Sequence, residues 1–220
     1  MGADADMLLA MYHAMRRHFG QQNWWPGDTP LEICLGAILT QNTNWRNVEK
    51  ALANLRRAGA LSLRRLHGMD VGELARLIRP AGYFNVKARR LKSFVGHVVA
   101  RHGGRLSRML ARPAGALREE LLGVHGIGRE TADSILLYAA GRRFFVIDAY
   151  TLRIGRRHGL FGADADYESA RALFESALPA NVDLWNDYHA QFVAVGKQYC
   201  KPTARCEGCP LGRFGHDASL

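Results

Sequence analysis

The stretch Leu121-Leu122-Gly123-Val124-His125-Gly126-Ile127-Gly128-Arg129-Glu130-Thr131-Ala132 constrains this chain more than any other part of it. Two amphipathic segments flank three glycines within six residues. Glycine permits positive φ and lets a second backbone approach closely. Val124 and Ile127 are placed to tuck inward and fix the turn, while amide N–H groups point outward at the start of the next helix. Gly123, Val124, Gly126, Ile127, Gly128, Arg129 and Thr131 would then form an anion site suited to a nucleic-acid phosphate. Such a site grips backbone and does not read base sequence. A plain helix–turn–helix with capping glycines shares the local pattern, and glycine spacing alone leaves both readings open.

Charge favours the first. The 220 residues carry 30 Lys and Arg against 20 Asp and Glu, a net charge of +10. That balance points to a polyanionic partner, although an Arg-rich genome would give the same composition. Hydrophobic content of 48% with 23% charged residues is ordinary for a soluble globular protein. No stretch approaches the roughly 20 apolar residues of a membrane span. The apolar run Met7–Met11 is short and set among Asp4, Asp6, His13, Arg16 and Arg17. Neither a leader nor a membrane partner is expected, and the expected location is the cytoplasm, associated with the nucleoid. Four cysteines in a reducing compartment argue for metal or structural roles rather than disulfides. Cys34, in an apolar segment, reads as a core residue.

Periodicity is helical almost throughout, so the expected fold class is all-α. Helices are expected over residues 5–19, from Pro30 through Thr40, and over 45–57, 62–67 and 71–79. After Pro80-Ala81-Gly82-Tyr83 the pattern resumes over 85–103 with a basic face of Lys87, Arg89, Arg90 and Lys92. Further helices are expected over 106–111, 115–122, 129–140, 149–158, 167–177 and 183–197. Phe144-Phe145-Val146-Ile147 reads as a short extended apolar run leading to Asp148. By itself Asp148 is a common kind of N-cap residue.

The hairpin, the apolar run and Asp148 together resemble the helix–hairpin–helix, Gly/Pro-Asp superfamily of DNA glycosylases, to which endonuclease III belongs. Within it the chain looks most like an endonuclease III-type 3-methyladenine DNA glycosylase. Trp24-Trp25-Pro26, Leu39-Thr40-Gln41-Asn42-Thr43, Arg79-Pro80-Ala81-Gly82-Tyr83-Phe84-Asn85 and Gly126-Ile127-Gly128-Arg129-Glu130-Thr131-Ala132-Asp133 carry that likeness. The resemblance implies base excision from damaged double-stranded DNA, with Asp148 stabilising the positive charge that develops on the sugar. It implies a two-lobed fold with a cleft: a six-helix barrel over residues 23–135, ending in the hairpin, and a second lobe from 1–22 plus 136–220. A monomer is expected, with a monovalent cation at the hairpin as a further candidate.

Members that also cut the DNA backbone carry a Schiff-base lysine two residues after the last hairpin glycine. Glu130 stands there, so a monofunctional glycosylase is expected; as a first-turn acid Glu130 also complements the helix dipole. Trp24, Trp25, Pro26, Trp45 and Glu130 are the candidates for the base pocket, since a flipped base must be held between flat surfaces. Core packing is the ordinary alternative for the tryptophans. Gln41 and Asn42 would fill the gap left in the duplex. An alkylated purine such as 3-methyladenine is the expected target. An oxidised pyrimidine, hypoxanthine or a mismatched base is the alternative, as is a DNA-binding protein that has lost catalysis.

Cys200-x5-Cys206-x2-Cys209 resembles the 4Fe–4S loop of endonuclease III. The first gap is one residue shorter than the family's, and Gly215 stands where its fourth cysteine would fall, with His216 next. His216 is the candidate fourth ligand. Zinc on the same set, or no metal, are the alternatives. Lys197, Lys201, Arg205 and Arg213 around the loop would meet phosphates.

Overall fold

Helix boundaries follow from local caps. The structure, a computed structural model, describes residues 3–22, 24, 27–162 and 164–220, and the side chains of all of these except Ala3 and Asp4. In chain order the helices are α1 (Ala3–Phe19), α2 (Pro30–Leu39), α3 (Trp45–Arg57), α4 (Leu63–Gly68), α5 (Val71–Leu77), α6 (Phe84–His102), α7 (Leu106–Leu110) and α8 (Ala114–Leu122). They continue with α9 (Arg129–Ser134), α10 (Ala149–Arg157), α11 (Tyr167–Ala177) and α12 (Val182–Gln198). A 3-10 turn spans Arg79–Ala81, and α9 runs on into a π-helical turn, Ile135–Ala139. No strand occurs among the described residues, so the fold is all-α.

Side-chain caps start α2, α3, α4, α5, α10, α11 and α12, whereas α6, α7, α8 and α9 begin without one. Thr29 accepts a hydrogen bond from the Glu32 amide at 3.2 Å, and Glu32 Oε2 accepts one from the Asp28 amide at 3.1 Å, a capping box that starts α2. Asn44, Ser62, Asp70, Asp148, Asp166 and Asn181 cap α3, α4, α5, α10, α11 and α12 in the same way.

The chain packs as two compact units, one formed by the residues up to Trp24 together with Arg143–Leu220, the other by Trp25–Arg142. In the second unit α2 is the central helix. Ile33, Cys34, Leu35, Ile38 and Leu39 are buried, and α3, α6, α9 and the π turn pack around them. Burial raises the Cys34 thiol pKa and leaves it an inert core residue.

The expected basic face of the 85–103 helix does not form. Lys87 is 1% exposed and its Nζ donates to Leu39 O at 2.8 Å and Ala81 O at 2.7 Å. Removal from water, with the Arg90 charge beside it, lowers the ammonium pKa to about 8. Lys92 donates to the carbonyls of Leu66, His67 and Met69, closing the end of α4. Lys87 and Lys92 are thus spent on backbone carbonyls, Arg90 donates to Gln41, and Arg89 is exposed.

In the first unit the apolar run before Asp148 is core. Phe145 stacks on Phe174 with centroids 4.4 Å apart, and Tyr188 and Phe192 close the cluster edge-on. The Phe145 amide has no strand partner and donates instead to Glu175 at 2.9 Å. Helix α12 is the organiser here, because it carries Tyr188 into the core and presents Asp187, His189 and Gln191.

Candidate nucleic-acid interface and catalytic residues

Val124 and Ile127 are each 5% exposed, so the hairpin turns its apolar residues inward as expected. Only Gly126 needs to be glycine. Its φ is +88°, and an added Cβ would lie 2.2 Å from Cγ of Arg90. Gly123 is right-handed helical and Gly128 is extended. Arg118 and Asp133 join α8 and α9 across the turn through paired contacts of 2.6 and 3.1 Å. Arg129 and Glu130 are exposed on the first turn of α9, and Thr131 is buried behind them.

Gln41 connects a second segment to the hairpin. Its amide nitrogen donates to Gly126 O and to Thr131 Oγ1, both at 2.9 Å, and its carbonyl accepts from Arg90. Asn42, next along, is exposed in the left-handed region at φ +53°. Trp45 opens α3 in the same unit, partly exposed.

Asp148 lies in the other unit. Its Oδ1 accepts from the Thr151 amide at 2.7 Å and the Thr151 hydroxyl at 2.8 Å. Its Oδ2 faces His189 Nε2 at 3.6 Å, an electrostatic contact longer than a hydrogen bond. Burial works to raise the carboxyl pKa. His189 and the two Thr151 donors outweigh it and hold the group below the ordinary aspartate value. An added Cβ on Gly196 would lie 2.2 Å from Tyr150, and that close approach seats α10 against α12 and brings His189 to Asp148.

The Trp24 ring lies 6.2 Å from the His189 ring, so Trp24, His189 and Asp148 form one series in this unit. Asp187 fixes the segment leading to Trp24, accepting from Tyr12 Oη at 2.9 Å and from the Gln22 amide at 2.8 Å. Trp25 and Pro26 lie outside the described residues. Sequence reading passed over His189, because nothing local marks a histidine inside a buried helix.

Cys200, Cys206, Cys209 and His216 line one cavity with Arg157, His158 and Tyr199. His216 Nδ1 lies 2.8 Å from Phe214 O, so a proton there leaves Nε2 with a free lone pair. Burial, joined by the charges of Cys200 and Cys206, pushes the Cys209 thiol up. Arg157 is 4% exposed and donates to Cys200 Sγ at 3.3 Å, Lys201 O at 2.7 Å, Pro202 O at 2.8 Å and Leu220 O at 2.6 Å. Asp217 supplies part of the negative charge that this buried guanidinium calls for, and metal-bound thiolates would add to it. The donor set therefore fits a thiolate-held metal group. Among the described residues this set does not bring three ligand atoms within 4.8 Å of one another, the compactness of a single-ion shell.

A family model described as HhH-GPD superfamily base excision DNA repair protein matches residues 35–180. A Methanocaldococcus jannaschii protein provisionally named a DNA repair glycosylase is 41% identical over 210 residues, 95% of this chain and 96% of its own. Endonuclease III of Thermotoga maritima is 30% identical over 183 residues, 83% of this chain and 80% of its own. The solved structure of H. pylori 3-methyladenine DNA glycosylase (MagIII) bound to 1,N6-ethenoadenine is similar with TM-score 0.76 and 27% identity, covering 89% of this chain and 97% of that one. The hairpin and Asp148 both fall inside the matched span, and the chain belongs to the HhH-GPD superfamily of base excision DNA repair proteins.

Proposed function

We propose that this base-excision DNA glycosylase is monofunctional and removes an alkylated purine of the 3-methyladenine class, with Asp148 as its catalytic carboxylate. The observation that carries the reading is Asp148 itself, with its side chain 13% exposed, hydrogen-bonded by Thr151 and held as an anion beside His189. Cleavage of the N-glycosidic bond sends its electron pair to the departing base and leaves positive charge on the sugar. A nearby carboxylate stabilises that charge and orients the water that replaces the base. A base that is already cationic leaves without a second acid. An indole such as Trp24 suits such a base through cation–π attraction. Similarity to the MagIII structure supports the same class.

Glu130 supports a single-step reaction, because a carboxylate cannot form an imine. Glycosylase product should stay intact as a strand until hot alkali is added, and borohydride should trap no covalent adduct. Strand nicking that Glu130→Ala abolishes would overturn this part.

In the proposed arrangement the hairpin amides and Arg129 hold DNA backbone, Asn42 enters the duplex, and Trp24, Trp25, Pro26 and Trp45 contribute to the base pocket. Cys200, Cys206, Cys209 and His216 would hold a 4Fe–4S cluster, whose contribution when bound is to shape the basic loop. Identity with endonuclease III favours a second reading, a lesion of that enzyme's type. Duplexes carrying 3-methyladenine, hypoxanthine, thymine glycol and a thymine–guanine mismatch separate the two. Release of 3-methyladenine above the others is expected, and its absence beside thymine-glycol release would overturn the choice.

A further inference from the structure

Away from these residues, one ionic cluster in the hairpin unit has no part in the proposed reaction. His97 and His102 lie on α6 and Glu120 on α8. His97 Nε2 is 2.6 Å and His102 Nε2 2.5 Å from the same oxygen, Oε1 of Glu120. Arg112 holds the other oxygen, Oε2. His102 and Glu120 side chains are 7% and 6% exposed and His97 is 22% exposed, so the cluster is buried with one open side. Among the described residues these are the three that bring metal-ligating atoms within 4.8 Å of one another.

We propose that His97, His102 and Glu120 form a binding site for a first-row divalent transition ion of the zinc class, which staples α6 to α8. Two imidazole nitrogens and one carboxylate oxygen are a donor set suited to zinc, and an open position remains for water. On binding, each imidazole gives a lone pair where it now faces the carboxylate, and its ring proton sits on Nδ1. Each imidazole nitrogen moves less than an ångström away from Glu120 Oε1 to give ligand distances of about 2.0–2.2 Å. Arg112 keeps Oε2 and orients Glu120, the usual place for an outer-shell partner. Helix α8 leads directly into Gly123, so the ion would steady one leg of the hairpin.

The site is distinct from the cysteine loop, and the test separates them. Long-range 15N histidine spectra of the whole protein are recorded with one equivalent of Zn2+ added. Movement of the His97 and His102 Nε2 resonances is expected; unmoved rings would overturn the proposal. Zinc affinity is also measured by competition with a chelator for wild type, His97→Ala and Glu120→Gln. Each variant should bind at least about 10–100-fold more weakly, the scale on which even outer-shell partners act. Unchanged affinity in both folded variants would overturn the site. Glu120→Gln keeps the side-chain shape, and His97 is the most exposed member, so folding of at least one variant is expected and is checked by its melting transition.

Discussion

Arg118 forks Asp133, with Nε 2.6 Å from Oδ1 and Nη2 3.1 Å from Oδ2. Asp133 has no exposed surface, and Arg118 is 15% exposed. Arg118→Ala removes this bidentate fork from a buried carboxylate and should cost about 3–5 kcal/mol in urea unfolding. Replacing both residues by apolar ones of similar volume should cost much less. Equal losses in the single and double variants would show that packing, and not the ion pair, matters there.

Gly126→Ala adds a Cβ at positive φ against the Arg90 stem. Backbone strain of about 1–3 kcal/mol is expected, with displacement of Arg90 and hence of Gln41. Affinity for undamaged duplex, read by anisotropy at fixed salt, should fall. The base-release rate at saturating DNA should change less. An unaltered affinity would contradict the assignment of the hairpin as the backbone grip.

Asp148 contributes stability that is fully present above the unfolded aspartate pKa of about 3.9 and is lost as pH falls through its lower folded value. Its ionisation should therefore place no acid limb on single-turnover rates near neutral pH. His189→Ala removes one of the interactions that lower the carboxyl and leaves burial opposing ionisation. The acid limb should move upward, and a superimposable pH profile would rule out this positioning role for His189. Asp148→Asn should lose at least about 100-fold in rate, the scale of deleting one preorganised electrostatic group, with duplex binding retained.

Arg157→Gln should lower iron and sulfide content per purified chain, because Cys200, Lys201, Pro202 and Leu220 all lose a shared donor. Trypsin should then cut sooner after Arg205. Unchanged metal content with unchanged cleavage would contradict the clamp.

Helices were legible because their causes are local. The Asp148 cap and the apolar spacing of α1, α3, α10 and α11 predict ends within a residue or two of those observed. The inward turn of Val124 and Ile127 was legible for the same reason. What escaped is pairing over distance. Lys87 reads as a surface cation until its two carbonyls, 48 and 6 residues away, are known. His189 and Arg157 read as ordinary helical residues until Asp148 and Cys200 face them. The π turn after α9 has no sequence signal we can name.

The amide nitrogen of Gln41 has both protons committed, to Gly126 and Thr131, and its oxygen accepts from Arg90, while Asn42 stands exposed beside it. With Asn42 in its proposed role, mortar and wedge would be adjacent residues, and the mortar is set into the hairpin itself. Any recoil from a bent duplex would pass through one peptide bond into the turn that holds the strand. Depth of insertion and tightness of hold then become a single mechanical variable, so undamaged, stiff DNA would loosen its own grip.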